Sequence, residues 1–104
     1  MRKDLIGVQT LVHKLKEINF NKNSKIENIV INVDKYGLDY NITIFFDNHK
    51  SEKIIIYNIV SDTLYVCREL YNKLLKSDIV NICKNILSIY SLKISNNTLV
   101  EPRR

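Results

Sequence analysis

Between Asn28 and Tyr57 two apolar runs alternate with polar residues at every second position on either side of Asp34-Lys35-Tyr36-Gly37, and a third follows Asp47-Asn48-His49-Lys50-Ser51. A period of two sends successive side chains to opposite faces, so such a stretch buries one face only as part of a sheet. In the first run Ile29, Ile31 and Val33 face one way, and Asn28, Val30, Asn32 and Asp34 the other. In the second, Leu38, Tyr40, Ile42, Ile44 and Phe46 oppose Asp39, Asn41, Thr43, Phe45 and Asp47. Asp34 to Gly37 fits a type I turn with Gly37 left-handed, the usual short hairpin with a bulge. The third run, Lys53 to Ile59, is apolar on both faces through Ile54, Ile55 and Ile56, as expected of a central strand or of one covered on both sides.

Helical periods flank these strands. Leu5, Val8, Leu11, Val12, Leu15 and Ile18 recur at three and four, predicting a helix over about 4–18, capped by Asp4 and stopped by the polar run Asn19 to Asn23. After the sheet, Ser61 or Asp62 is expected to cap a helix whose Leu64, Cys67, Leu70, Tyr71 and Leu74 share a face. Ser77-Asp78 should cap another, carrying Ile79, Ile82, Cys83, Ile86, Leu87 and Tyr90, with one long bent helix as the alternative. From Leu92 the chain returns to Ile94, Asn96-Asn97 and Leu99-Val100, a short strand or a loose tail over 93–104. The expected architecture is α+β, a single domain over 1–104. In it a three-stranded antiparallel meander packs with an N-terminal helix and two C-terminal helices, in the order α-β-β-β-α-α.

With 104 residues, 45% of them apolar, the chain has enough core for one domain without staples. The start, Met1 to Gly7, runs into Gln9, Thr10 and His13 without the continuous apolar stretch of a secretory signal. No run approaches the roughly 18 apolar residues of a membrane helix. These readings place the protein in the cytoplasm, away from membranes, and discount the glycosylation spacing at Asn41-Ile42-Thr43 and Asn96-Asn97-Thr98. Abundant Ile, Lys and Asn fit an AT-rich genome such as that of a low-GC bacterium or its phage.

The net charge of +5 is unevenly spread. Residues 1–25 hold six Lys/Arg against two acids, residues 61–104 seven against four, and residues 26–60 three against five. The helical flanks are therefore basic and the sheet slightly acidic.

No pattern in the chain specifies catalysis, a metal or a cofactor. Cys67 and Cys83 lie on apolar helical faces without CxxC spacing and are expected to be buried thiols. His13 flanks an apolar stripe, His49 lies in a turn, and neither has spaced partners for metal or general-base work. Asp39, Asp47 and Glu52-Lys53 hold the groups of a metal-dependent nuclease, but Asp47 and Glu52 bracket a hairpin, where charged residues are ordinary.

Binding surfaces are more legible. If helices cover the side of Ile29, Ile31, Val33, Tyr40, Ile42 and Ile44, the opposite side offers Val30, Asn32, Asp34, Asp39, Asn41, Thr43 and Phe45, joined by one of Ile55 or Tyr57. An apolar centre with a polar rim is the form of a partner site, unless the third helix or the tail covers it. A second reading is nucleic-acid binding. Lys14, Lys16, Lys22 and Lys25 form one basic cluster and Arg68, Lys73, Lys76 and Lys84 another, with Phe20, Tyr65 and Tyr71 as the nearest aromatics.

The order helix, three strands, helix is that of the double-stranded RNA-binding domain. That family opens its last helix with a Lys-rich turn, where this chain has Ser61-Asp62-Thr63, so only the topology is shared. The full order, with Ile29-Val30-Ile31-Asn32-Val33-Asp34, a Gly turn and Asp39-Tyr40-Asn41-Ile42-Thr43, resembles small phage-encoded anti-CRISPR proteins that occupy Cas effectors. The best-known members with this order are strongly acidic and imitate DNA, whereas this chain is basic overall. The resemblance therefore implies contact with a host protein or a ribonucleoprotein and its guide RNA, and it carries over no individual residue.

Overall fold

The computed structural model describes residues 3–103, with side chains from Ile6 onward. The chain folds as α1 (Lys3–Glu17), β1 (Ile26–Val33), β2 (Asp39–Phe46), β3 (Ser51–Asn58), β4 (Thr63–Val66), α2 (Arg68–Lys73), α3 (Lys76–Leu87), a 3-10 turn (Ser88–Tyr90) and β5 (Leu99–Pro102). The class is α+β. The sheet, however, has five strands rather than three, in the order β1-β2-β3-β4-β5, with β4 and β5 parallel and the other pairs antiparallel.

α1 matches its apolar stripe: Leu11 and Leu15 are fully buried, and Val8, Val12 and Ile18 pack against the core. The expected Asp4 cap and the place of Leu5 on that stripe lie outside the described residues. The helix stops through a Schellman motif. Asn19 takes a left-handed φ of 59°, its N–H donates to the Lys16 carbonyl at 3.0 Å, and Phe20 N–H donates to Leu15 at 2.9 Å. That geometry brings buried Phe20 over the helix end, where its ring stacks on Phe46 at 6.3 Å. Gly7 lies at the contact of α1 with α3. A Cβ there would sit 2.6 Å from Ile86 Cγ1 and 3.0 Å from Ile86 N, so the two helices close to a spacing that only glycine permits.

The first hairpin follows its sequence. Gly37 has φ 70°, and its N–H donates to the Asp34 carbonyl at 3.0 Å. The Asp34 carboxylate accepts from Leu38 N–H at 2.8 Å and Asp39 N–H at 3.2 Å. β3 is central, and the register slips between Ile42 and Thr43 opposite it. This bulge leaves consecutive residues Ile54 and Ile55 both buried and half-buries Ile56, which resolves the apolar character of the run on both faces.

The segment read as the start of a helix at Ser61 or Asp62 is instead β4. Leu64 and Cys67 are three apart, which mimics a helical period, but Thr63-Leu64-Tyr65-Val66 also alternates, and β3 supplies a pairing edge. Tertiary pairing decides the conflict, and the helix begins only at Arg68. The break before α3 gives two helices. Ser77 and Asp78 are not its cap: Leu75 occupies that position without a side-chain bond, and Asp78 lies in the first turn, where its charge favours the helix dipole.

The tail is not loose. Ile94, Thr98 and Val100 are buried, and β5 pairs with β4. Asp62, at φ 48°, holds it there. Its Oδ1 accepts from Tyr57 Oη at 2.7 Å and Thr98 Oγ1 at 2.9 Å, and its carbonyl accepts from Leu99 N–H at 3.1 Å.

The strand residues that enter the core share one parity: Ile29, Ile42, Ile44, Phe46, Ile55, Tyr57, Leu64, Val66 and Val100 join Leu11, Leu15, Leu70, Ile79, Ile86 and Leu87 of the helices. Burial pushes the Cys83 thiol up to about 12 and is the largest cause of the rise of Cys67 to about 11. Burial, then the bond to Asp62 and its charge, push the Tyr57 phenol up to about 12. Each group is neutral in the fold at a pH where the unfolded chain ionises, the thiols from 9.0 and the phenol from 10.0. Stability is thus complete below about pH 9 and is lost as pH rises from there towards 12. Thermal melts followed by circular dichroism should show this decline, with a shallower slope for Cys83→Ala.

Candidate interaction surface

Most of the opposite parity of the sheet faces solvent, with Asn41 and Thr63 on it buried. Direct cross-strand partners run Asn32, Asn41, Ile56, Tyr65 and Glu101 in one row, and Val30, Thr43 and Lys53 in the next. Asn28, Phe45 and Ser51 form a third row, and Thr63 and Leu99 pair at the far side. Residues facing each other across a ladder share a face, so all of these lie on one side. On it Val30 is 38% exposed, Phe45 39%, Tyr65 36% and Leu99 55%. The helices sit on the other side, because the core draws only on the opposite parity.

Of the residues read as partner-binding, Val30 and Phe45 are exposed, Asn32 is exposed and Thr43 half-buried on this face. Asn41 lies between Asn32 and Ile56 and is buried. Asp34 and Asp39 serve the fold: the first accepts from the two turn amides, and the second accepts from Asn58 Nδ2 at 2.8 Å. The apolar companions differ from expectation, since Ile55 and Tyr57 are buried in the core while Ile56, Tyr65 and Leu99 join the open face. Sequence reading missed Tyr65 because it placed that residue in a helix, where the alternation in Thr63 to Val66 was the signal of a strand; it left Leu99-Val100 as a short strand or a loose tail and gave Leu99 no place on this face. A shallow cleft of about 350 Å³ runs along this face between Glu27, Asn28, Val30, Phe45, Phe46 and His49.

The basic residues separate into three places. Lys16, Lys22 and Lys25 line a cleft of about 410 Å³ with Asn19, Phe20, Asn21, Ser24 and Ile26. Lys14, outside it, lies 3.8 Å from Glu17. Arg68 shares a second cleft with Glu52, Lys53, Cys67 and Arg103, whose guanidinium donates to the Lys53 carbonyl. There burial and the Glu69 charge raise the Glu52 carboxyl, opposed by Arg103. Lys73 is spent on Glu69 at 3.2 Å and on the Ile18 carbonyl at 3.4 Å. Lys76 stands 6.0 Å from the Tyr71 ring centroid, and Phe20 is buried, so the Lys16 cleft has no exposed stacking aromatic of its own.

Asp39 and Asp47 lie at opposite ends of β2, roughly 25 Å apart at the rise of a strand, too far to share one metal ion. No helix among the described residues is long and apolar enough to cross a membrane. The molecule is thus an α+β domain with one covered and one open sheet face. Comparison with protein-family models, with curated proteins and with solved structures finds no match to it.

Proposed function

We propose that this chain is a non-enzymatic binding protein of a phage or mobile element that inhibits a host defence protein of the Cas type, or a toxin, by covering its surface. The observation that carries this reading is the open sheet face, where Val30, Phe45, Tyr65 and Leu99 are all more than a third exposed. Exposed apolar side chains of that kind, set among Asn28, Asn32, Lys53 and Glu101, are found at partner sites. The anti-CRISPR resemblance supports the choice of a Cas effector among possible partners, and it is an argument from fold order.

A second reading, a nucleic-acid binder, is favoured by the gathering of Lys16, Lys22 and Lys25 in one cleft. Salt separates the two. Three phosphate contacts lose roughly 20- to 40-fold in affinity over a fourfold rise in salt, from about 50 to 200 mM. The sheet-face complex, isolated with its captured partner, should weaken by only about threefold over that range, since its exposed anchors Val30, Phe45, Tyr65 and Leu99 are uncharged. A steep slope would transfer the function to the lysine cleft.

A further inference from the structure

The two edges of the sheet are built differently. β5 is a four-residue strand, parallel to its neighbour and ending in Pro102, the sort of edge that resists further pairing. β1 has eight residues, one charge (Glu27) and no proline. Its free main-chain groups follow from the hairpin. Asp34 N–H donates to the Asp39 carbonyl, so Asn32, Val30 and Asn28, alternating from there, also bond inward to β2. Ile29, Ile31 and Val33 therefore point their N–H and C=O groups outward. Two of these outward groups have only makeshift partners: Ile29 N–H turns to the side-chain oxygen of its own neighbour Asn28 at 2.8 Å, and the Ile31 carbonyl takes the Tyr90 hydroxyl at 3.4 Å.

The same strand is a palindrome, Asn28-Ile29-Val30-Ile31-Asn32. We infer that β1 pairs antiparallel with β1 of a second copy of this chain, about a two-fold axis through Val30, to make one continuous ten-stranded sheet. A two-fold contact must be self-complementary, and this register satisfies that residue by residue. Val30 meets Val30, Ile29 meets Ile31, and Asn28 meets Asn32. The parity also agrees. Ile29 and Ile31, whose main-chain groups are free, become hydrogen-bonded pairs, and they exchange the makeshift bonds to Asn28 and Tyr90 for ladder bonds. Val30 becomes the non-hydrogen-bonded pair at the axis. Its side chain stays on the open face, so the contact is an edge contact that goes beyond the partner reading and does not rest on it.

The register makes a specific prediction. Opposed residues of a non-hydrogen-bonded pair have Cα atoms about 4.5 Å apart, within disulfide range, whereas Asn32 lies four positions out of register with its own copy, on the order of 13 Å away. Full-length Val30→Cys, in a glutathione buffer, should form the interchain disulfide at least about tenfold faster than Asn32→Cys alone. A mixture of Asn28→Cys and Asn32→Cys should cross-link as the heterodimer. The native Cys67 and Cys83 are buried and stay out of the exchange. Without cross-linking, the mass by sedimentation should rise towards twice the chain mass between roughly 1 μM and 1 mM. Val30→Lys, which places two ammonium groups at the axis, should hold it at one, and adding Val30→Glu should restore the pair. A single-chain mass throughout, or cross-linking of Val30→Cys no faster than that of Asn32→Cys, overturns the proposal. Melting curves of each variant establish that it is folded, since Val30 is a surface position at 38% exposure.

Discussion

Asp62→Ala should lower stability by about 3 kcal/mol, the sum of two orphaned hydroxyls and a left-handed residue that has lost its aspartate. In a domain of this size each kcal/mol moves the melting temperature by roughly 4–8 °C, so the loss should be plain in a thermal or urea melt. The size of the effect comes from what Asp62 joins. Tyr57 belongs to β3 and Thr98 to the segment leading into β5, and both hydroxyls converge on one carboxylate oxygen from residues that are 5% exposed. Removing that oxygen leaves two buried donors without their acceptor and frees β5, whose backbone is also held by the Asp62 carbonyl. Asp62→Asn keeps an oxygen acceptor and tolerates positive φ, and should recover most of the stability. A cost below about 0.5 kcal/mol for alanine, typical of an unremarkable surface change, would show that β5 is held by its ladder alone.

Phe45→Asp should weaken partner binding by about 30-fold or more, the effect of truncating an aromatic anchor of at least roughly 2 kcal/mol, with a new charge desolvated besides. The fold should survive, because Phe45 points away from the core and is 39% exposed; a stability loss of up to about 1 kcal/mol is expected from its strand position. Binding measured by calorimetry beside a melt of the same variant separates the two effects. The double charge reversal Lys22→Glu with Lys25→Glu should leave the same affinity within about threefold if the sheet face carries the contact. The opposite pattern would place the partner at the lysine cleft.

Local chemistry was legible where one signal acted alone. The alternation in β1 and β2, the turn ending in Gly37 and the apolar stripe of α1 each pointed to one structure, and the fold has them. That Val30 and Phe45 lie on the side away from the helices was legible for the same reason. What escaped was set by distant partners. Thr63 to Val66 satisfies both periods, and only the waiting edge of β3 makes it a strand. Leu99-Val100 could be read as either a short strand or a loose tail, and Leu99 to Pro102 becomes β5 because Asp62 and β4 receive it. The bulge that turns Ile54 and Ile55 to one side is a register property, invisible in a run of three isoleucines. Asp34 and Asp39 alternated correctly onto the open side, but their carboxylates were claimed by nearby amides.

Methyl and aromatic resonances of labelled chain, titrated with the captured partner, decide whether the sheet face is where this protein meets that partner. Val30, Thr43, Phe45, Ile56 and Tyr65 should broaden or shift together, while Lys16, Lys22 and Lys25 keep their positions. Perturbation confined to the lysine cleft, with the five sheet-face residues unchanged, would contradict a sheet-face contact.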